Sequence, residues 1–288
     1  MGRVALNGMT VLITGASSGI GKEIARILLF RYGCRVIGTG RSEEKLRAFA
    51  AEAEGTAAGR FFWRTFDVGD KAGWEETAAY LKEREMPPDL VVNCAGVLPP
   101  FAAYGGDGEG GERVLRTNFL SAVWSAEALS PLLAGNPRAR IVNIGSSSSL
   151  CPFAGVAAYC ASKAALQRFS ECVSLENGIP VSVFMPGFTD TDVFRSQNFD
   201  EGTKGFFRRF GMSPQRMAEK IVRAIARGRR RKIFGADARL MDWGYRLFPR
   251  LAPRIITKFL RTAKPDAFGG IVHEGSRDGR KEKDEKKE

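Results

Sequence analysis

Residues 9–21 constrain the fold of this chain more than any other stretch. Met9-Thr10-Val11-Leu12-Ile13 is an apolar run without alternation, the pattern of a strand covered on both faces. Thr14-Gly15-Ala16-Ser17-Ser18-Gly19-Ile20-Gly21 follows, and Lys22-Glu23-Ile24-Ala25-Arg26-Ile27-Leu28-Leu29 then takes up helical periodicity. Strand, glycine turn and helix in that order open a parallel α/β sheet. The glycines let the backbone come close to an anion, and the N–H groups and dipole of the helix start hold it, an arrangement suited to a pyrophosphate.

The alternation continues along the chain. Further strand runs fall at 34–39, 60–66, 89–93, 140–145, 179–185 and 231–235, separated by helical patterns at 42–54, 71–84, 112–133, the stretch around 158–166, and 214–228. With 44% hydrophobic residues there is ample material for a core. The expectation is one doubly wound α/β domain over residues 1–235, with a mostly parallel, seven-stranded sheet. A glycine-punctuated segment at 192–212, carrying Phe194, Phe199, Phe206, Phe207 and Phe210, suits a substrate lid, and the Pro- and Gly-rich stretch 97–111 a mobile loop at the mouth of the site.

The second strand ends in Gly40-Arg41-Ser42. In dinucleotide folds this position meets the adenosine ribose, where a carboxylate binds a free 2′-hydroxyl and an arginine suits a 2′-phosphate. Glycine followed by Arg41, with Ser42 and Lys45 as helpers, points to NADPH in preference to NAD.

Further on lie Asn93-Cys94-Ala95-Gly96, Asn118 within a long helix, Ser146 after the fifth strand, Tyr159 and Lys163 one helical turn apart, and Pro186-Gly187-Phe188-Thr189-Asp190-Thr191. In that order, after T-G-x-x-x-G-I-G, these motifs resemble the short-chain dehydrogenase/reductase family, with Cys94 standing where the family has a second asparagine.

The resemblance implies a role for each position. Gly15, Ser17, Ser18, Gly19, Ile20 and Gly21 would cradle the cofactor; Asp67 and Val68 would touch the adenine, although Asp67 reads equally well as a helix N-cap. Asn93 would tie the central strand, and Gly96 would let the chain pass close to the cofactor. Thr191 would contact the nicotinamide carboxamide. Ser146, with Ser147 as fallback, would orient a carbonyl, Tyr159 would exchange its proton, and Lys163 would stabilise the phenolate and grip the nicotinamide ribose. Asn118 would distort its helix and hold a water in a proton relay. The reaction implied is hydride exchange between a nicotinamide and a small-molecule carbonyl or alcohol, by a homodimer or homotetramer. A non-catalytic NADP(H)-binding sensor is the alternative, and the retained Tyr/Lys pair argues against it.

The five cysteines show no C-x-x-C pair and the single histidine, His273, sits near a charged tail, so neither a zinc site nor a histidine triad is expected. There is no secretory signal and no run near the roughly 20 apolar residues of a membrane span, which points to a cytoplasmic protein. The net charge is +12, and its excess lies in residues 201–264, where Lys and Arg number 18 against 4 Asp and Glu. Residues 236–264 read as a basic amphipathic helical extension that either packs over the cleft or on a sister subunit, or lies peripherally on an anionic membrane through 243–264. No nucleic-acid recognition motif accompanies the charge, so no nucleic-acid partner is expected. The Trp243-Gly244-Tyr245-Arg246-Leu247-Phe248 segment, with Pro99-Pro100-Phe101 and the lid, is expected around the nicotinamide, giving a pocket for a bulky hydrophobic ketone. Residues 265–288 are almost all charge and glycine, the composition of a disordered tail.

Overall fold

The computed structural model describes residues 2–99, 108–176, 178–191 and 211–263. Seven strands form one sheet: β1 (Thr10–Thr14), β2 (Arg35–Gly40), β3 (Phe61–Thr65), β4 (Leu90–Asn93), β5 (Arg140–Ile144), β6 (Val181–Pro186) and β7 (Arg231–Phe234). Their order is β3-β2-β1-β4-β5-β6-β7, and all six pairings are parallel. The chain winds outward from β1 to β3, then returns to lay β4 on the other side of β1. The switch point between β1 and β4 is where open α/β sheets bind ligands, outside the carboxyl ends of the strands.

Helices cover both faces. Among the described residues they are α1 (Gly19–Arg26), α2 (Glu43–Ala53), α3 (Lys71–Glu83), α4 (Gly108–Leu115), α5 (Ser121–Leu133), α6 (Ala157–Val173), α7 (Pro214–Ala226), α8 (Ala236–Leu247) and α9 (Ala252–Ala263). Within β1, Val11 and Ile13 join one core with Ile24, Leu28, Phe49 and Ile221, while Leu12 joins the opposite core with Val91, Trp74, Leu81 and Leu129. Successive side chains enter opposite layers, which is why an unbroken apolar run, and no alternation, marks this strand.

Several boundaries depart from the sequence expectation. Helix α4 begins at Gly108, so 108–111, expected as loop, are helical, while 100–107 lie outside the described residues. The single helix expected over 112–133 is interrupted by a π turn at Arg116–Leu120 that carries Asn118. Most of the lid, 192–210, and the tail from 264 onward also lie outside the described residues. No helix among the described residues is long and apolar enough to cross a membrane.

Candidate active site

The exits of β1 and β4 are pinned together by one hydroxyl. Thr14 Oγ1 accepts from the backbone N–H groups of Cys94 and Ala95, each at 3.0 Å. A Cβ on Gly15, which has φ +71°, would stand 3.1 Å from the Ala95 Cα, and one on Gly21 would run into the Gly15 carbonyl. Ser18 holds the N-cap position of α1 without a side-chain capping bond. The first-turn N–H groups of α1 thus remain available to an anion, and Ser18, Gly19, Ile20 and Gly21 line a cleft that continues past Cys94, Ala95 and Gly96. This cradle, too tight for side chains and open at a helix start, fits the pyrophosphate of a dinucleotide.

At the ribose end, a Cβ on Gly40 would lie 2.8 Å from Ser17 Oγ, so Ser17 fills the space that an acidic side chain at Gly40 would need. Arg41 is exposed beside it. Ser42 caps α2, its Oγ accepting from the Lys45 N–H at 3.3 Å, which gives both residues a local structural task. Asp67 is not an N-cap: its Oδ1 accepts from the Gly69 N–H at 2.8 Å, and Asp70 caps α3. The Val68 side chain is buried in the core against Trp74, whose Nε1 donates to the Val68 carbonyl.

The chemical end is built by β5 and α6. Ser146 follows β5 as the N-cap of a short 3-10 turn, Ser147–Ser149, and its hydroxyl accepts from the Ser148 N–H at 3.2 Å. The same Ser146 hydroxyl lies beside the Tyr159 hydroxyl and favours its ionised form. Lys163, one turn along α6, is buried and donates from Nζ to the Ile144 carbonyl at 3.0 Å. Ser146, Ser147, Tyr159, Lys163 and Thr191 line the cleft with the glycine loop.

Burial raises the Tyr159 hydroxyl to about 12, against the downward pull of Ser146. Burial lowers the Lys163 ammonium to about 8, with Cys94 opposing the shift. Lys163, expected to stabilise the phenolate, turns its Nζ to the Ile144 carbonyl and lies 6.0 Å from the Tyr159 ring centre. At neutral pH the phenol keeps its proton, the state required of an acid facing a developing alkoxide.

Asn118 and Asn93 act on the scaffold. Asn118 Oδ1 accepts from the Val97 N–H at 2.7 Å, and its Nδ2 donates to the Val97 carbonyl at 2.8 Å and to Ser162 Oγ at 3.1 Å. Ser162 Oγ in turn donates to the Tyr159 carbonyl, so the π turn, the β4 exit and the catalytic helix share one polar knot. Asn93 Nδ2 donates to Asn143 Oδ1, and Asn143 Nδ2 to Ser170 Oγ, each at 2.8 Å, which ties β4, β5 and α6 behind the cleft.

Residues 9–202 match the family model described as short chain dehydrogenase. The 2,3-dihydro-2,3-dihydroxybenzoate dehydrogenase of Bacillus subtilis (strain 168) is 33% identical over 207 residues, covering 70% of this chain and 77% of that protein. The chain belongs to the short-chain dehydrogenase family. Among other similar proteins, the NADPH-dependent pterin aldehyde reductase of Arabidopsis thaliana is 33% identical over 190 residues, 65% of this chain and 77% of that protein. The crystal structure of a short-chain dehydrogenase from Streptomyces avermitilis superimposes with a TM-score of 0.74 at 27% identity, covering 88% of this chain and 97% of that one. This protein is therefore an oxidoreductase of the short-chain dehydrogenase family with that family's seven-stranded sheet.

The apolar walls of the cleft were less legible. Leu98, Phe153, Val156, Phe188 and Leu260 line it, the first three in one apolar cluster with Tyr159. Leu260 comes from α9, whose inner face also sets Ala252 and Ile256 against Cys151 and Phe153, and whose Thr257 Oγ1 accepts from the Ala154 N–H at 3.2 Å. The Trp243–Phe248 segment was expected here and is not: Trp243, Leu247 and Phe248 face solvent, because the phase of α8 turns Ala238 and Met241 inward instead. Pro100 and Phe101 lie outside the described residues.

Proposed function

We propose that this protein is an NADPH-dependent reductase of hydrophobic ketones, running the reverse alcohol oxidation when the cofactor ratio favours it. The observation that carries the reading is the meeting of Ser146, Tyr159 and Lys163 at one end of a cleft whose other end is the glycine cradle of α1. Gly15, Ser18, Gly19, Ile20 and Gly21 hold the pyrophosphate, Lys163 and Thr191 border the nicotinamide end, and the bound cofactor supplies the hydride. Tyr159 gives its proton to the oxygen of the reduced carbonyl, and Ser146 donates a hydrogen bond to that same oxygen.

Preference for the 2′-phosphorylated cofactor is supported by Arg41, by the space at Gly40 that Ser17 fills, and by the NADPH dependence named in the Arabidopsis relative. The apolar wall of Leu98, Phe153, Val156, Phe188 and Leu260 supports a hydrophobic substrate. The test is kcat/KM with NADPH for ketones of rising chain length. Each added buried methylene contributes up to about 0.8 kcal/mol, close to fourfold. A flat profile, or a preference for sugar-like carbonyls, overturns the substrate class and leaves the reductase assignment standing. Absence of NADPH oxidation across every ketone class overturns the assignment itself.

A further inference from the structure

We propose that the hairpin of α8 and α9 docks this protein on an anionic lipid bilayer, with the outer faces of both helices in the interfacial layer. The hairpin has two apolar sides. Its inner side is spent on the protein: Ala238, Met241, Ala252 and Leu260 are buried, and the two helices approach closely where a Cβ on Gly244 would come 3.6 Å from the Ala252 Cβ. Its outer side repeats the pattern in solvent. Leu240, Trp243 and Leu247 recur at helical spacing on α8 and Leu251 and Ile255 before and along α9, with Leu240 67% and Trp243 61% exposed. Of the nine exposed large hydrophobic residues among the described ones, seven fall between Leu240 and Phe259, so the apolar exposure is concentrated in this one element.

Charge selects the occupant. Arg239, Arg246, Arg250, Arg254 and Arg261 are all exposed on the hairpin or its turn. Of the two acids of this region, Asp237 accepts from the Phe188 N–H at 2.7 Å and Asp242 pairs with Arg246 at 3.0 Å, so the basic excess rests on Arg239, Arg250, Arg254 and Arg261. Apolar stripes flanked by arginines, with an aromatic among them, suit the boundary between acyl chains and anionic headgroups. A second copy of the chain is disfavoured, since a two-fold contact through this face would bring two arginine-rich surfaces together. The docking stands independently of the reductase reading. Joined to that reading, it places α9 between bilayer and cleft, with Leu260 on the cleft side, so that an apolar ketone dissolved in the membrane has a short path to Tyr159.

The test is co-sedimentation of the full chain with vesicles of phosphatidylcholine alone or with about a third phosphatidylglycerol, at near-physiological salt. Binding is expected to the anionic vesicles and to fall steeply at high salt, with a blue shift of Trp243 emission. Replacing Arg239, Arg250 and Arg254 by Gln should weaken binding roughly a hundredfold, at about fivefold per charge. The pair Trp243→Ala and Leu247→Ala should weaken it at least about tenfold. Retained NADPH binding by each variant shows that it is folded. Failure of the wild type to bind anionic vesicles, or unchanged binding by the triple arginine variant, overturns the proposal. So does light scattering in which the Trp243→Ala, Leu247→Ala pair converts a dimer to monomers, because the face would then belong to a sister subunit.

Discussion

Replacing Asn118 by leucine separates a scaffold role from a proton-relay role. The side chain keeps nearly its volume and loses every polar atom. In the wild type Oδ1 accepts from the Val97 N–H, and Nδ2 donates to the Val97 carbonyl and to Ser162 Oγ, at a position only 2% exposed. Leucine orphans the Val97 N–H and carbonyl and takes one donor from Ser162 Oγ, which keeps its own bond to the Tyr159 carbonyl. At about 1–2 kcal/mol for each orphan and about 1 kcal/mol for the lost Ser162 bond, the loss is about 3–5 kcal/mol. For a domain of this size 1 kcal/mol moves the melting temperature by roughly 2–4 °C, so a fall of roughly 10 °C or more is expected in scanning calorimetry. Asn118→Asp should fall in between, since it keeps the acceptor for the Val97 N–H but sets a carboxylate oxygen against the Val97 carbonyl. Turnover measured well below the melting range then reads the relay: a loss of kcat with NADPH binding intact assigns one. A leucine variant melting within about 2 °C of wild type would refute the accounting, since it would mean that the three bonds contribute almost nothing.

Tyr159→Phe should lower the reduction rate by roughly 10²–10⁴ while NADPH binding persists, as followed by cofactor fluorescence; wild-type turnover would contradict the acid assignment. Arg41→Ala should raise the KM for NADPH about ten- to a hundredfold and leave that for NADH nearly unchanged, the effect of one lost charge-assisted phosphate contact; equal losses with both would make Arg41 structural. Because Lys163 titrates at about 8 and Tyr159 at about 12, reduction should be level through neutral pH and decline above about pH 8, and Lys163→Met should remove that limb. In stability the sign is opposite: the folded pKa of Lys163 lies below its ordinary 10.5, the unfolded chain binds more protons between those values, and this group's contribution therefore rises with pH through that window. Light scattering at micromolar concentration should give a dimer or tetramer mass, and a monomer mass would exclude the expected assembly.

The inner strands were readable because both faces of the sheet are buried along them, so they appear as largely apolar runs whatever their register, while the edge strands β3 and β7 are part-exposed and carry Arg64 and Arg231; β1 lies one residue further on than its apolar run. The cradle and the Ser146, Tyr159 and Lys163 positions were readable because their spacing is local to a turn or a helix. What escaped depends on choices that periodicity does not encode. Asp67 reads as a cap for α3, but its Oδ1 turns to the Gly69 N–H, and Asp70, three residues on, caps the helix. The π turn adds a residue to one helical turn without altering composition, and Asn118 was its single signal. Helix α9 is apolar on two sides, and nothing in its spacing says that Leu260 turns inward while Ile255 turns out. The Asn93–Asn143–Ser170 chain joins residues far apart in sequence, with no motif linking them.

The cleft draws its walls from opposite ends of the polypeptide, and this sets when it can exist. Gly15 leaves the ribosome well before Leu260, and the segment ahead of β1 is itself held by a later element, with the Val4 N–H donating to the Ala226 carbonyl at 2.8 Å. Parallel pairings between distant segments form slowly because the long intervening chain must first be closed into loops. During synthesis the β1–β3 half can gather around α1 and α2, but the apolar side of β6 and the floor of the cleft stay open until α7 and α9 have emerged. A truncation ending before α9 would thus uncover Cys151 and Phe153 together, and such a fragment is expected to aggregate or be captured by chaperones in place of persisting as a slower enzyme.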